Sequence, residues 1–233
     1  MKAKGFRHLA SIVIVFMFVI IIGYIGTSNA QYVFSYQNED VIYNGNRENN
    51  NVSLMVNVYW GSEFISEMLD IFEKYDVKTT FFVGGQWAEK EEEILKDLFD
   101  RGHEIGNHGY FHKDQEKLSY DQNYDEINVN HQLVKSILNI DMNLFAPPSG
   151  SFNKSTLQAS KDLGYQTIMW SKDTIDWRDK DSNLIFKRAT ENISGGDLIL
   201  MHPTENTVKA LPLILEFYKL NNITATTVTN CLK

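Results

Sequence analysis

One cysteine stands in the 233 residues, Cys231 near the C-terminus. An internal disulfide is therefore excluded, and stability must come from packing. A thiolate zinc site of the finger type is excluded too, because it needs several cysteines. Acidic residues are missing from the whole N-terminal stretch, and the first is Glu39. Basic residues are in deficit overall, with 22 Lys and Arg against 30 Asp and Glu and a formal charge of −8. Setting aside Lys2, Lys4 and Arg7 leaves 19 against 30, a charge of −11 for residues 31–233. That balance argues against nucleic acid as a partner and against tight binding of anionic polymers. A neutral or partly cationic glycan is compatible with it.

What is present at the N-terminus is a positive flank followed by the apolar run Leu9–Ile25. At about 17 residues the run lies between a long signal h-region and a short membrane span. Positive charge stays on the cytoplasmic side, so either reading puts the rest of the chain outside. Ser28-Asn29-Ala30 resembles a small-x-small cleavage site. The expectation is a cell-membrane protein with one N-terminal span, or a secreted one if cut after Ala30. Residues 1–30 are thus read as anchor or signal. Residues 31–51, polar and rich in Asn, Gln and Tyr, are read as a stalk. Residues 52–233 are read as one domain, taken as a monomer.

From Val52 onward, strand and helix signals alternate. Strands are expected at Val52–Val58, Lys78–Val83, Glu104–Asn107, Asn143–Ala146, Gln166–Trp170, Asp197–Met201 and Thr224–Val228. Amphipathic helices are expected at Glu63–Tyr75, Ala88–Arg101, Tyr120–Leu138, Lys154–Leu163, Ser182–Asn192 and Val208–Leu220, with Ser182 as an N-cap. Alternation of this kind implies an α/β fold of parallel strands, as a closed barrel or an open sheet. In either form chemistry gathers at the C-terminal strand ends. Reactive residues do follow those ends: Tyr59-Trp60, His108 and His112, Pro147-Pro148-Ser149, Asp173 and Asp176-Trp177, and His202.

If the stretch from His108 to His112 is a helical turn, both imidazoles project from one face and can share a metal. Two histidines and an oxygen would suit zinc or a related divalent ion. Two histidines on a polar loop is the plainer alternative. His202, ending an apolar strand, could protonate a leaving amine, or be a hydrogen-bonded structural histidine. Asp173 or Asp176 could orient it, or both could be ordinary turn aspartates.

Five motifs occur in order: K-T-T-F-F-V-G, G-H-E-I-G-N-H-x-x-x-H, P-P-x-G, W-S-K-D-T-I-D-W and G-D-L-I-L-M-H-P. Over about residues 52–230 the chain resembles the NodB-homology polysaccharide deacetylases, carbohydrate esterase family four. It is most similar there to sporulation-type relatives with W-G after the first strand. The resemblance implies a distorted (β/α) barrel of about seven strands and metal-dependent removal of acetyl groups from N-acetylglucosamine-type sugars in cell-wall glycan. It also implies roles. His108 and His112 match the metal-binding histidines, and His202 matches the general acid. Asp176 matches the aspartate that tunes that acid, Trp170 the tryptophan lining its pocket, and Leu200 the leucine shaping the acetyl pocket.

The first motif departs from the pattern. Asn57 sits where the family's base aspartate is expected, and Tyr59 and Trp60 follow, so the metal-binding aspartate is missing too. Asn57 accepts a hydrogen bond but takes no proton at useful pH. The arginine that pairs with the base in the family is Ala146 here. Losing both halves of an ion pair together leaves neither as an uncompensated buried charge. Ser149 stands where an aromatic often lies. Three readings follow. One is an active deacetylase with a base supplied by Asp114 or Glu63. Another is a pseudoenzyme that binds metal or glycan, with Tyr59, Trp60, Tyr110 and Trp177 as stacking faces. The third is a different activity on the same scaffold.

Overall fold

The computed structural model describes residues 41–233. The expected anchor and the first part of the expected stalk lie outside the described residues. Among the described residues no helix is long and apolar enough to cross a membrane.

The expected strand Val52–Val58 forms as β2, Asn51–Val58, and is the hub of the sheet. Around it lie β3 (Thr80–Val83), β4 (Glu104–Asn107), β5 (Leu144–Phe145), β6 (Gln166–Ile168), β8 (Leu198–Met201) and β9 (Thr224–Ala225). Two short strands were not expected, β1 (Val41–Ile42) and β7 (Lys172–Asp173). The order is β1-β6-β5-β4-β3-β2-β8-β7, every ladder is parallel, and β9 pairs the start of β2.

That order forces a curl. β6 and β7 lie near opposite ends of the path, yet Ile168 and Lys172 are separated by four chain steps, at most about 14 Å. Among the described residues no ladder joins β1 to β7, so the result is a curled half-barrel of the (β/α) kind. Strand alternation sorts β2 between two layers. Met55 packs inside the curl with Phe82, Leu144, Ala146, Ile168 and Leu198. Leu54, Val56 and Val58 face outward into the larger core. There they meet Ile65, Met68, Leu69 and Phe72 of α1 (Ser62–Lys74).

Residues 41–51 are not a free stalk. Val41 and Ile42 pair with Thr167 and Ile168. Arg47 meets the buried carboxylate of Asp197 at 2.8 Å, and the Asn46 amide bonds the Cys231 carbonyl. A Cβ on Gly45 would lie 2.2 Å from that carbonyl oxygen, so this approach requires glycine. The polar composition suggested a linker, but here it serves hydrogen bonds that close the N-terminal strap over the C-terminus. The expected helix Ala88–Arg101 is two, α2 (Gly85–Lys90) and α3 (Glu92–Asp100), broken at Glu91. Tyr120–Leu138 forms as expected (α4), with a Ser119/Gln122 capping box. α5 (Lys154–Asp162) and α6 (Ser182–Thr190) also form, but the cap of α6 is Asp181, not Ser182. α7 (Glu205–Leu220) starts earlier than expected, capped by Thr204. A short α8 (Val228–Cys231) ends the chain.

His103 is a core histidine between the rings of Phe72 and Phe81. Its Nδ1 accepts from the Thr79 amide, which requires an unprotonated nitrogen. Burial, and next the charge of Lys78, push its pKa down to about 4. A histidine held neutral in the fold stabilises fully above its unfolded pKa near 6.5, and that share is lost as pH falls toward 4. Urea unfolding at pH 7.5 and 5 should therefore show wild type losing about 2 kcal/mol more than His103→Gln. Equal losses would mean His103 is not buried in neutral form.

Candidate active site

At the C-terminal strand ends a cavity of about 440 Å³ opens. Asn57 enters it from the C-terminal end of β2, followed by Tyr59 and Trp60. His108 and His112 come from the segment after β4, Ser149 from the turn after β5, and Trp170 from the end of β6. Asp173, Trp177, Leu200 and His202 complete the wall. Two expected site residues stand behind it: Asp176 beneath His202, and Pro148, buried under the turn that carries Ser149. The turn after Trp60 depends on Gly61 at φ 80, where a Cβ would lie 2.2 Å from the Pro203 carbonyl oxygen.

His202 is fixed from three sides. Its Nδ1–H donates to Asp176 Oδ1 at 2.8 Å, since a carboxylate oxygen only accepts. Asp176 Oδ2 accepts from the His202 amide and from Thr207 Oγ1, each at 2.6 Å. The Trp60 indole stacks on the imidazole, with centroids 5.8 Å apart and planes within 7°. The arrangement commits Nδ1 to the carboxylate and leaves Nε2 as the ring's free nitrogen.

His108 donates Nδ1–H to the Ala146 carbonyl at 2.7 Å, which leaves Nε2 with a lone pair. Burial, and next the charge of His112, hold its pKa down to about 3. Burial lowers the pKa of His112 as well. The two rings lie 5.0 Å apart. They do not meet on a helical turn: the segment is irregular, and His112 has left-handed backbone, φ 54.

Glu126, on α4, braces that segment. Its buried carboxylate accepts from the Phe111 amide at 2.9 Å and pairs with Lys113 at 3.1 Å. No motif in the sequence points to Glu126. The available signal was its place on the stripe Asn123, Ile127, Asn130 and Val134, where a carboxylate must find partners. Tyr59 packs its ring 4.8 Å from that of His112 and donates its hydroxyl to Gln86 Oε1.

Neither carboxylate considered as a replacement base lines the cavity. Asp114 is engaged by Ser151 and Lys117, and Glu63 is exposed on the first turn of α1. Val58, next after Asn57, turns into the outer core. Among the described residues Asp173 is the one carboxylate in the cavity wall, and its Oδ1 accepts from the Ile175 amide at 2.7 Å. Asn57 is 4% exposed, and its Oδ1 has no hydrogen-bond partner among the described residues. Among the described residues no group of three His, Cys, Asp or Glu side chains is set to hold a metal. What the cavity offers toward a divalent ion is two imidazoles, His108 and His112, fewer protein ligands than the three of an ordinary open zinc site, beside the uncharged Asn57 oxygen. Such a donor set brings no negative charge to the ion.

A sequence model of the family described as polysaccharide deacetylase matches residues 44–168. The protein YlxY of Bacillus subtilis is 35% identical over 81% of this chain and 59% of its own length. A peptidoglycan-N-acetylglucosamine deacetylase of Bacillus cereus is 32% identical over 73% of this chain and 82% of its own. The crystal structure of a CE4 family pseudoenzyme from Bacillus anthracis superposes with a TM-score of 0.81 at 34% identity, covering 83% of this chain and 69% of that one. A mutant of that protein is described as having restored enzymatic activity. The chain spans about three fifths of the length of the first curated relatives it matches, 59%, 64% and 58%. Motif order, curled sheet, cavity and these matches agree, and the chain belongs to the polysaccharide deacetylase family (NodB-homology, carbohydrate esterase family four).

Proposed function

We propose that this domain binds N-acetylated cell-wall glycan outside the cell and has lost the general base for hydrolysing it. One observation carries the reading: among the described residues Asn57 holds an unpaired amide oxygen where the resemblance puts the base, and the one carboxylate in the cavity wall, Asp173, is on another strand with one oxygen bound by the Ile175 amide. Export by residues 1–30 and a monomeric state are part of the proposal. The exposed indoles of Trp60 (45%) and Trp177 (56%) offer flat faces to sugar rings. Leu200 and Trp170 supply apolar wall for an acetyl methyl. His108 and His112 would hold a divalent ion, zinc by donor type, which supplies Lewis-acid polarisation of the acetyl carbonyl when bound. His202 Nε2 remains placed to carry a proton to a leaving amine.

The intact His202–Asp176 pair favours a second reading, a latent hydrolytic site one carboxylate short of turnover. The restored activity of the Bacillus anthracis mutant supports it.

Two measurements test the proposal together. Calorimetric titration with N-acetylglucosamine oligomers should show binding, and Trp177→Ala should weaken it about fivefold. Wild type should release acetate only at background level. Acetate release at rates ordinary for a deacetylase would sink the lost-base reading, and absence of glycan binding would sink the binding one. Elemental analysis after dialysis should find metal in wild type and none in His108→Ala. Metal-free protein in both cases removes the ion from the proposal.

A further inference from the structure

The polar groups whose state the fold fixes give the cavity one polarity. His202 donates its Nδ1–H to Asp176, and His108 donates its Nδ1–H to the Ala146 carbonyl. Both residues line the cavity, and each neutral ring keeps a lone pair on Nε2. Asp173 adds a carboxylate. Its Oδ1 accepts from the Ile175 amide, and its Oδ2 accepts from no described residue. No lysine or arginine lines the cavity among the described residues. Arg178 lies over the ring of Trp177 at 5.9 Å, but its guanidinium is held by Asp179 at 2.8 and 3.1 Å. The wall is therefore rich in acceptors and carries a negative charge that no cation of the wall answers.

An acetamido group uses such a wall only in part. Its methyl can meet Leu200 and Trp170, but its carbonyl is an acceptor among acceptors, and it brings a single N–H. A primary ammonium matches the wall better. It brings three N–H donors and a positive charge for Asp173. The exposed indoles of Trp60 and Trp177 add faces for cation–π contact. At longer range the excess of 30 acidic over 22 basic residues draws a cationic strand. A cavity of about 440 Å³ lies within the roughly 300–1,000 Å³ of a ligand pocket, room for one sugar ring with its substituent.

We propose that the cavity selects a sugar whose amino group is free, so that the domain recognises glycan from which an acetyl group has already been removed. The proposal rests on the glycan-binding reading above for the stacking of sugar on indole. It changes the group that enters the cavity, from an acetamide to an ammonium. The ammonium donates to Asp173 and to Nε2 of His202, the nitrogen placed to hand a proton to a leaving amine. Loss of the base suits this role, because recognition of an amine needs no turnover. A divalent ion on His108 and His112 would oppose a second cation, so the two ligands exclude one another.

The test titrates the full chain, dialysed free of divalent ions, with two tetrasaccharides. One is the N-acetylglucosamine tetramer, and the other is the same tetramer with one inner acetyl group removed. Wild type should bind the second about tenfold more tightly, the combined range of one exposed ion pair and one cation–π contact. Asp173→Asn keeps the shape and removes the charge, and should bring the ratio of the two affinities down to about twofold. Asp100→Asn removes the same charge from the exposed end of α3, outside the cavity wall, and should keep the tenfold ratio. Equal affinities in wild type, a preference for the fully acetylated tetramer, or a ratio that responds alike to both substitutions overturns the amine site while the glycan reading stands. If neither tetramer binds, both fall.

Discussion

Asn57→Asp combined with Ala146→Arg is expected to raise acetate release from N-acetylglucosamine oligomers at least about a hundredfold over wild type, the lower range of what a placed general base contributes. The position is already prepared. Asn57 and a carboxylate have the same shape, and the Oδ1 atom is buried without a partner in the cavity that holds His202. What is missing is basicity, because an amide oxygen does not take up a proton from attacking water near neutral pH. Asn57→Asp alone should recover less. At 4% exposure and with no lysine or arginine in the cavity wall among the described residues, the new carboxyl of the metal-free protein would be pushed up by desolvation and stay protonated. The arginine supplies the countercharge, so the gain should exceed the sum of the two single changes. Ala146 is fully buried inside the curl, and a long side chain there should lower stability by about 1–3 kcal/mol. Acetate release and urea unfolding must therefore be measured on the same preparations. A folded double variant that binds glycan yet is no faster than wild type would show that more than a base was lost, with the charge-free ligand set as the first suspect.

Most of this site was legible because a parallel sheet gathers its loops at one end. Residues placed after Val58, Asn107, Phe145, Ile168 and Met201 converge whatever lies between them. Strong periodicity likewise placed Glu104–Asn107 and Tyr120–Leu138. The two-residue strands β1 and β7 carry too little pattern to be read. Residues 41–51 read as polar linker in sequence because hydrogen-bonding asparagines look like linker until their partners, distant in sequence, are known. The second layer of the site was invisible for the same reason. Glu126, Thr207 and Gln86 act from helices, each through a contact with a residue far along the chain or a loop of irregular shape. The break at Glu91 that places Lys90 at a helix end left no proline or glycine to signal it.

Asp176→Ala should lower the unfolding free energy by about 3–5 kcal/mol, as unmaking three buried hydrogen bonds to one carboxylate does. The carboxylate is buried and accepts three hydrogen bonds, two from His202 and one from Thr207. Alanine would leave these donors facing an empty space, and an unmet buried donor costs about 1–3 kcal/mol. The loss should reach the cavity as well, because the Trp60 indole rests on the His202 ring. Asp176→Asn separates the two roles. It keeps volume and one oxygen, so stability should fall by only about 1–2 kcal/mol. Its NH2, however, must face one of the three donors. The relief available is a tautomer change, in which His202 Nδ1 accepts from the amide and the ring proton moves to Nε2. Nitrogen chemical shifts of the His202 imidazole read this directly, with Nδ1 protonated in wild type and Nε2 protonated in Asp176→Asn. A drop of less than 1 kcal/mol in the alanine variant would show that Asp176 does not hold the turn. An unchanged tautomer in the asparagine variant would show that it does not set the state of His202.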